Sequence, residues 1–277
     1  MMRILLFLAT NVAVLVMASV AMAVLTALGV IPENMPYASL LVWCALFGFG
    51  GSFLSLALSK WIAKRSTRAY VIGQPRNELE QWLVSAVERQ AEKAGIGMPE
   101  VAIFDSPDPN AFATGMFRNN ALVAVSTGLL NLMDRTEVEA VLGHEVSHVA
   151  NGDMVTLTLI QGVLNTFVIF VARIIASQFD RGRFLIYIAL QMAFGVLASM
   201  VVAWFSRRRE YRADAGGAQL ESQAGMVAAL HKLRSVQDAR SQLPDGLSAF
   251  GIRGGGMMKM LSTHPPLEQR IARLGGA

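Results

Sequence analysis

Charge and cysteine are both scarce in this sequence. Only 16% of its 277 residues are charged, whereas 53% are hydrophobic and the mean hydropathy is +0.44. This balance excludes an ordinary soluble protein and is typical of membrane proteins. The only cysteine, Cys44, lies within an apolar run. An intramolecular disulfide is therefore impossible, and a redox or thiolate role is not expected.

Four long uncharged runs account for the excess of hydrophobic residues: Ile4 to Val30, Tyr37 to Ser59, Met154 to Ala172 and Phe184 to Ser206. The first, second and fourth are each long enough to cross a hydrocarbon core of roughly 30 Å as a helix. The third run carries threonine, glutamine and asparagine side chains, which favour contact with protein over contact with lipid. The sequence therefore predicts four apolar helices.

The first run follows Arg3 and contains Ala21-Met22-Ala23, so a cleaved signal peptide is an alternative to a first membrane helix. The run is much longer than the roughly 7 to 15 residues of a signal core, which favours an uncleaved helix. Cleavage would not alter the topology of the segments that follow.

Basic residues cluster beside the apolar runs. The connector Ile31 to Pro36 contains no lysine or arginine, whereas the far end of the second run carries Lys60, Lys64, Arg65 and Arg68. By the positive-inside rule, we expect the connector outside and the chain after Ser59 in the cytoplasm. Arg207 to Arg209, with Arg212, follow the fourth run. Such clusters indicate contact with anionic lipid headgroups and do not favour nucleic acid binding.

Residues 61–153 have the pattern of a globular domain. Capping motifs predict two helices, one from Asn77 to Gly95 and one from Asp134 to about Asn151. Two buried strands are predicted, Val101 to Phe104 and Ala121 to Ser126. Met226 to Leu233 further along the chain has amphipathic helical spacing, and His231 within it is expected to be structural.

The helix predicted to start at Asp134 contains the sequence His144-Glu145-Val146-Ser147-His148. Positions i and i+4 share one helical face, so the two imidazoles can bind one metal ion while Glu145 points at its open coordination site. This spacing is a known metalloprotease signature. It predicts one zinc ion per chain, with Glu145 as the catalytic base that also returns the proton to the leaving amine.

A catalytic zinc site needs a third protein ligand. The metzincin arrangement is excluded because Met154 stands where its third histidine would be. No glutamate occurs from Val149 to Arg209, so Glu210 is the first one available. Asp214 follows on the same helical face and can accept the spare N–H of a ligand histidine. Spacing alone fits an exposed, salt-bridged helix start equally well.

A metal site shared by His144, His148 and Glu210 would constrain the topology. Both ends of residues 154–206 would lie on one side of the membrane, so this segment either crosses as a hairpin or does not cross fully. Arg181 and Arg183 at its turn oppose export. The predicted organisation is two transmembrane helices in 1–60, a first protease part with the zinc-binding helix in 61–153, a hydrophobic hairpin in 154–206, and a second protease part with the third ligand in 207–277.

These motifs together resemble HtpX, a family of membrane-embedded heat-shock metalloproteases related to the CAAX prenyl proteases. The resemblance covers nearly the whole chain and rests on two N-terminal spans, Asn110 to Gly115, His144 to Asp153, Glu210 with Asp214, and Thr263 to Pro266. It implies an α-helical membrane protein with an α+β zincin-like protease domain, and Glu210 as third zinc ligand. It also implies an active site on the cytoplasmic side of a bacterial inner membrane and a stress-response role in membrane-protein quality control. Met116-Phe117 departs from the family pattern, where a more polar loop is expected.

Substrate contacts and oxyanion stabilisation have weaker candidates. An extended substrate can pair with the edge of a strand, so the predicted substrate-binding residues are Asn110, Leu122, Val123, Ala124 and Val125. The alternative is that Leu122 to Ser126 is an ordinary internal strand. His264 precedes two prolines, and in similar enzymes a histidine there is suited to stabilising the oxyanion; a purely structural turn is the alternative. Arg270 either orients this segment or lies on the surface of a terminal helix.

The leading hypothesis is a zinc endopeptidase that acts on misfolded or damaged membrane proteins within a lipid bilayer. One alternative is a membrane scaffold or transporter whose zinc only joins two soluble segments, which predicts four saturated protein ligands. Another is a specific processing protease for lipid-modified peptides. The small number of apolar runs argues against it, because related prenyl proteases build a larger helical chamber.

Overall fold

A computed structural model of the protein describes residues 20, 24–29, 36–241 and 262–275. Most of the first predicted apolar run, Ile4 to Val30, and all of the alternative cleavage site at Ala21 to Ala23 fall outside these residues. The described residues belong to two compact units. The apolar unit comprises those within Met1–Ser55, Thr156–Ser206 and Gly254–Thr263, and the α/β unit comprises those within Leu56–Val155, Arg207–Arg253 and His264–Ala277.

Helices predominate, with a small mixed sheet between them. In chain order the elements are α1 (Tyr37–Thr67), β1 (Tyr70–Val71), α2 (Glu78–Ala94), β2 (Glu100–Phe104), β3 (Ala111–Thr114), β4 (Leu122–Ser126), α3 (Thr127–Leu132), α4 (Arg135–Asn151), α5 (Asp153–Ser177), α6 (Arg183–Leu220), α7 (Gln223–Ser241) and α8 (Leu267–Gly275). The predicted strands correspond to β2 and β4, and the two helices predicted from capping motifs correspond to α2 and α4. These four predictions are confirmed. Strands β1 and β3 were not predicted, because each is too short to show an alternating pattern.

Three helices are long and apolar enough to cross a membrane. Helices α1, α5 and α6 contain 31, 25 and 38 residues, with hydropathies of 1.9, 2.0 and 2.2 in their apolar windows. At a rise of about 1.5 Å per residue, each exceeds a hydrocarbon core of roughly 30 Å. These helices contain the second, third and fourth predicted apolar runs.

The apolar unit is held together by close helix contacts and buried amides. A Cβ on Gly48 of α1 would lie 2.6 Å from the backbone nitrogen of Thr166 in α5, so only glycine permits this approach. Asn165 of α5 is 1% exposed, and its Nδ2 donates to Oγ of Ser52 in α1 at 3.3 Å. Gln161 Nε2 donates to Asn165 Oδ1 at 2.8 Å. Asn165 and Gln161 of the third run therefore contact protein, as the composition of the run predicted.

The α/β unit contains a four-stranded sheet in the order β1-β2-β4-β3. Strands β2 and β4 are parallel, and the other neighbours are antiparallel. Helices α2 and α4 pack on this sheet through a shared core that includes Leu83, Val87, Val123, Val125 and Leu142. This packing fixes the position of α4, which carries the predicted metal-binding motif.

Local sequence signals set the ends of α4. Asp134 and Glu137 form a reciprocal capping box at its start, and Gly152 ends it with a left-handed φ of 67°. The next residue, Asp153, begins α5. Helices α7 and α8 pack against α4 through Ala140, Met226, Leu230 and Leu274. His231 is exposed on α7 and takes no part in this core.

Candidate active site and metal centre

The structure brings His144, His148 and Glu210 together within the α/β unit. One ligand atom from each residue lies within 4.8 Å of the other two. The two histidine Nε2 atoms are 3.1 Å apart, and Glu210 Oε1 is 3.3 Å from Nε2 of His148. Glu210 Oε2 is 3.7 Å from Nε2 of His144. Helix α4 supplies the two imidazoles, and the carboxylate comes from α6, 62 positions further along the chain.

These distances fit a zinc ion. Zinc binds nitrogen and oxygen at about 2.0 to 2.2 Å in a tetrahedron, which separates neighbouring ligand atoms by roughly 3.3 to 3.5 Å. The separations of 3.1 Å between the two Nε2 atoms and 3.3 Å between Nε2 of His148 and Oε1 of Glu210 lie close to this range. Among the described residues this group has three members, which leaves the fourth position of a tetrahedron without a protein ligand. Two imidazoles and one carboxylate form a donor set that catalytic zinc sites use.

Asp214 and Arg270 hold the first imidazole. Asp214 Oδ1 lies 2.9 Å from Nδ1 of His144, which leaves Nε2 directed at the metal position. Arg270 of α8 donates through Nε to Asp214 Oδ2 at 2.8 Å. Asp214 is 1% exposed and Arg270 is 7% exposed, so this pair is shielded from solvent. The structure thus places Asp214 beside the ligand histidine and Arg270 behind Asp214.

A second carboxylate, which the sequence reasoning did not assign, holds the other imidazole. Asp153 Oδ2 lies 2.7 Å from Nδ1 of His148. Arg209 donates a hydrogen bond to the Asp153 backbone carbonyl, and its Nη1 is 3.7 Å from Asp153 Oδ1. Arg209 immediately precedes Glu210, so this contact ties the helix bearing the third ligand to the group that orients His148. The signal available in the sequence was an aspartate directly after Gly152, the glycine that ends the helix.

Two glycines let α6 approach α4 closely. A Cβ on Gly217 would lie 2.9 Å from the backbone nitrogen of His144 and 3.1 Å from the carbonyl oxygen of Ala140. A Cβ on Gly216 would lie 2.3 Å from Oγ of Ser147. A larger residue at either position would separate the two helices that carry the ligands. Sequence reasoning missed this role, although a glycine pair inside a helical stretch signals close backbone approach.

His264 lies beside the third ligand. Its Nδ1 is 2.8 Å from Oε2 of Glu210, and its side chain is 51% exposed. Arg270 Nη1 is 3.4 Å from the same oxygen. The predicted oxyanion histidine therefore borders the metal position, with half of its surface open to solvent. Glu145, on the turn of α4 between the two ligand histidines, is partly buried.

The charges of the site support metal binding. Burial would raise the pKa of Glu210, but hydrogen bonds from His148 and His264 outweigh it and hold that pKa well below its ordinary value. Burial alone would lower the pKa of His148, but Asp153 and Glu210 raise it to about 10. A metal ion consequently finds an ionised carboxylate and competes with a proton for His148.

The predicted substrate strand needs correction. Strand β4 is hydrogen-bonded to β2 on one side and to β3 on the other, and Leu122 to Val125 are each 0% exposed. It therefore offers no edge to a peptide, and the alternative of an ordinary internal strand is the correct one. Within the described sheet, the edge strand beside α4 is β3, which begins directly after Asn110.

A model of one protease family matches most of the chain. Residues 77–277 match the description "Peptidase family M48". The chain belongs to peptidase family M48. Its relatives include "Protease HtpX" of Thioalkalivibrio sulfidiphilus, 57% identical over 99% of this chain and 98% of the relative. "Protease HtpX" of Stenotrophomonas maltophilia is 56% identical over 98% of this chain and 97% of the relative. The resemblance inferred from the sequence motifs is confirmed.

A solved structure shares the fold of this M48 chain. The crystal structure of S. mikatae Ste24p superposes with a TM-score of 0.61 at 16% identity, over 92% of this chain. The match spans 64% of that chain, which is less than two thirds of its length. With the M48 family established and three helices apolar enough to cross a bilayer, the protein is a membrane zinc metalloprotease.

Removing the carboxylate of Asp153 should weaken metal binding in this M48 chain. Groups that orient a ligand histidine typically contribute 10- to 100-fold to metal affinity, so we expect Asp153→Ala to raise the zinc dissociation constant by about that factor. Competition against a fluorescent zinc chelator measures it. Asp180→Ala, at an exposed position in the α5–α6 turn, is the matched control. An affinity equal to that of the control variant would contradict the assigned role.

Proposed function

We propose that this protein is an endopeptidase that uses one zinc ion to hydrolyse peptide bonds of misfolded or damaged membrane proteins. The observation that carries the proposal is the convergence of His144, His148 and Glu210, with Glu145 between the two histidines on α4. Three protein ligands with one open position support catalysis over a purely structural zinc. A role in quality control and stress response is part of this proposal, as the resemblance to the HtpX family implies.

Each residue of the site is proposed to have a separate role in peptide hydrolysis. Zinc, when held by His144, His148 and Glu210, supplies a Lewis acid that acidifies water and polarises the scissile carbonyl. Glu145 takes the proton of the attacking water and delivers it to the leaving amine. Asp214 and Asp153 keep each ligand imidazole in the tautomer and orientation that presents Nε2.

His264 is proposed to stabilise the oxyanion that forms during attack. Its imidazole borders Glu210 at 2.8 Å, and its exposed half leaves room for a peptide carbonyl. The two prolines that follow fix the backbone behind it. The hydrogen bond to Glu210 supports this role, because it places the imidazole of His264 beside a proposed metal ligand.

The substrate is proposed to bind as an extended segment along β3. This strand is paired with β4 on one side, and within the described sheet its other side has no neighbouring strand. An open edge offers backbone hydrogen bonds and demands little of the side chains, which suits a protease that accepts many damaged sequences. β3 also packs against α4, so a peptide on it would run beside the metal-binding helix.

The active site is proposed to face the cytoplasm at the inner membrane of a bacterium. The basic residues Lys60, Lys64, Arg65 and Arg68 follow the apolar part of α1, and the positive-inside rule assigns such a cluster to the cytoplasm. The α/β unit begins at Leu56, and it resumes at Arg207 after α5 and most of α6. We therefore propose that residues 154–206 form a membrane hairpin inserted into a zincin-like protease domain made of 61–153 and 207–277.

Metal removal tests the proposed activity. We expect a chelator to reduce cleavage of an unfolded model membrane protein by more than about 100-fold, because water activation and carbonyl polarisation both depend on the ion. Stoichiometric zinc should restore it, and gel analysis of the cleavage products measures both steps. Magnesium at equal concentration is the control, since a site of two imidazoles and one carboxylate selects zinc. Unchanged cleavage in chelator would overturn the proposal.

A further inference from the structure

Three exposed apolar side chains lie on segments that meet at one end of the sheet in the α/β unit. Phe117, in the turn between β3 and β4, is 63% exposed, and Met98, just before β2, is 43% exposed. Trp61, near the end of the apolar part of α1, is 66% exposed. Arg118 next to Phe117 is also exposed. We call these four residues the basal face.

Strand register places the residues around the basal face at the same end of the sheet. Glu100 pairs with Leu122 in the parallel β2–β4 ladder, and Thr114 pairs with the same Leu122 in the antiparallel ladder. Gly97 donates its backbone N–H to Oδ1 of Asn119 at 2.8 Å, which joins the loop of Met98 to the turn of Phe117. The two loops therefore form one surface.

The last turns of α1, which belong to the α/β unit, contact this surface. Lys60 Nζ lies 3.0 Å from a carboxylate oxygen of Glu100 and 2.5 Å from Oδ1 of Asn120. Lys64 pairs with the other oxygen of Glu100. Further along, Ala63 packs against the sheet cluster that contains Leu122. The end of the sheet is thus attached at Lys60, the first charged residue after the apolar run that ends at Ser59.

This attachment defines the depth of the basal face. An uncharged helix passes from hydrocarbon to headgroups where its first lysine occurs, and tryptophan also favours that boundary. Lys60 is the first charged residue of α1, and Trp61 follows it directly. Asn120, which touches Lys60, belongs to the same turn as Phe117, since the Asn120 N–H donates to the Phe117 carbonyl at 3.0 Å. The turn that carries Phe117 is therefore attached to α1 at the residue where its charged part begins.

We propose that the basal face docks on the lipid bilayer, with Phe117 inserted at the boundary of headgroups and acyl chains. Its chemistry matches an anionic phospholipid surface: an aromatic and a methionine side chain for the acyl boundary, with Arg118 and the basic end of α1 for the phosphates. This accounts for Met116-Phe117, where a more polar loop was expected. The docking holds whether or not the chain cleaves its substrates as proposed, because it involves only lipid.

Depth-dependent fluorescence quenching tests the proposal. Phe117→Cys in a Cys44→Ser background gives a single thiol for an environment-sensitive dye, and the full chain is reconstituted in vesicles of phosphatidylethanolamine and phosphatidylglycerol. Leu79→Cys is the matched control: Leu79 is 41% exposed at the start of α2, whereas the loop of Met98 follows the end of that helix. The first and last residues of α2 are about 24 Å apart along the helix axis.

We expect a blue-shifted emission at position 117 and its loss when brominated acyl chains are included, with no change at position 79. Equal responses at the two positions would overturn the proposal. A shift at position 117 that occurs only on addition of unfolded protein, with no quenching by brominated lipid, would also overturn it and assign Phe117 to substrate. Retained zinc binding by each labelled protein verifies that it is folded.

Discussion

The variant Glu145→Gln should lose hydrolysis while keeping its metal. A general base typically contributes 10²- to 10⁴-fold, so we expect kcat/KM for a model membrane substrate to fall by about that factor. Glutamine has nearly the same size and keeps an oxygen at the same position, but it cannot take a proton. Glu145 lies outside the group of His144, His148 and Glu210, so the zinc dissociation constant should stay within about threefold of wild type.

The two measurements together separate a base from a structural residue. Glu88→Gln is the matched control, because Glu88 is an exposed glutamate on α2 within the same unit. Its activity should equal that of the unmodified protein. If the zinc-bound Glu145→Gln variant hydrolysed substrate at the rate of the control variant, the assignment of Glu145 as the catalytic base would be wrong. A parallel loss of zinc and activity would instead show that Glu145 holds the site together.

Local signals in the sequence were sufficient for α4, the helix that carries two of the proposed ligands and Glu145. The box of Asp134 and Glu137 begins α4, Gly152 ends it, and the spacing of His144 and His148 fixes both imidazoles on one face. These features depend on residues close together in the chain, so periodicity and capping reveal them. The prediction of Glu210 as third ligand had a different basis. Residue spacing did not decide between a ligand and an exposed helix residue, and only the resemblance of the whole set of motifs to a family favoured the ligand.

Features that depend on contacts distant in sequence were harder to predict. The order β1-β2-β4-β3 buries the strand that was expected to meet substrate, and no local pattern distinguishes an internal strand from an edge strand of the same composition. The bond from Asp153 to His148 needs the chain to turn sharply at Gly152. The paired contacts of Arg209 with Asp153 and of Arg270 with Asp214 join segments more than 50 residues apart.

The close approach of α6 to α4 explains how two such separate segments form one site. Ligands on different helices bind one ion only if the helix backbones are held at a fixed distance, and here Gly217 sets that distance against the backbone of His144. Asp214 lies one turn before Gly217, and Glu210 lies one turn before Asp214. The glycine contact is therefore on the same stripe of α6 as the ligand and its orienting carboxylate.

Gly217→Ala should consequently damage the metal site even though alanine is the better helix former. In an unconstrained helix the change would stabilise by about 1 kcal/mol. Here the added methyl meets backbone atoms at 2.9 and 3.1 Å, which cannot move aside as a side chain can. We expect the helices to separate, with a loss of about 1 to 3 kcal/mol from overpacking and about 100-fold in activity from misplaced ligands.

Zinc titration and peptide hydrolysis on the same preparation measure both effects. Gly50→Ala is the matched control, because Gly50 lies within helix α1 and a Cβ there meets nothing within 4 Å. It should retain wild-type zinc affinity and activity. If Gly217→Ala also behaved like wild type, the two helices would have to tolerate a wider spacing, and the geometry of His144 and Glu210 would not depend on this contact. If zinc affinity and activity fell in Gly217→Ala but not in Gly50→Ala, the contact between α6 and α4 would be what positions the third ligand, and a general effect of replacing a helical glycine would be excluded.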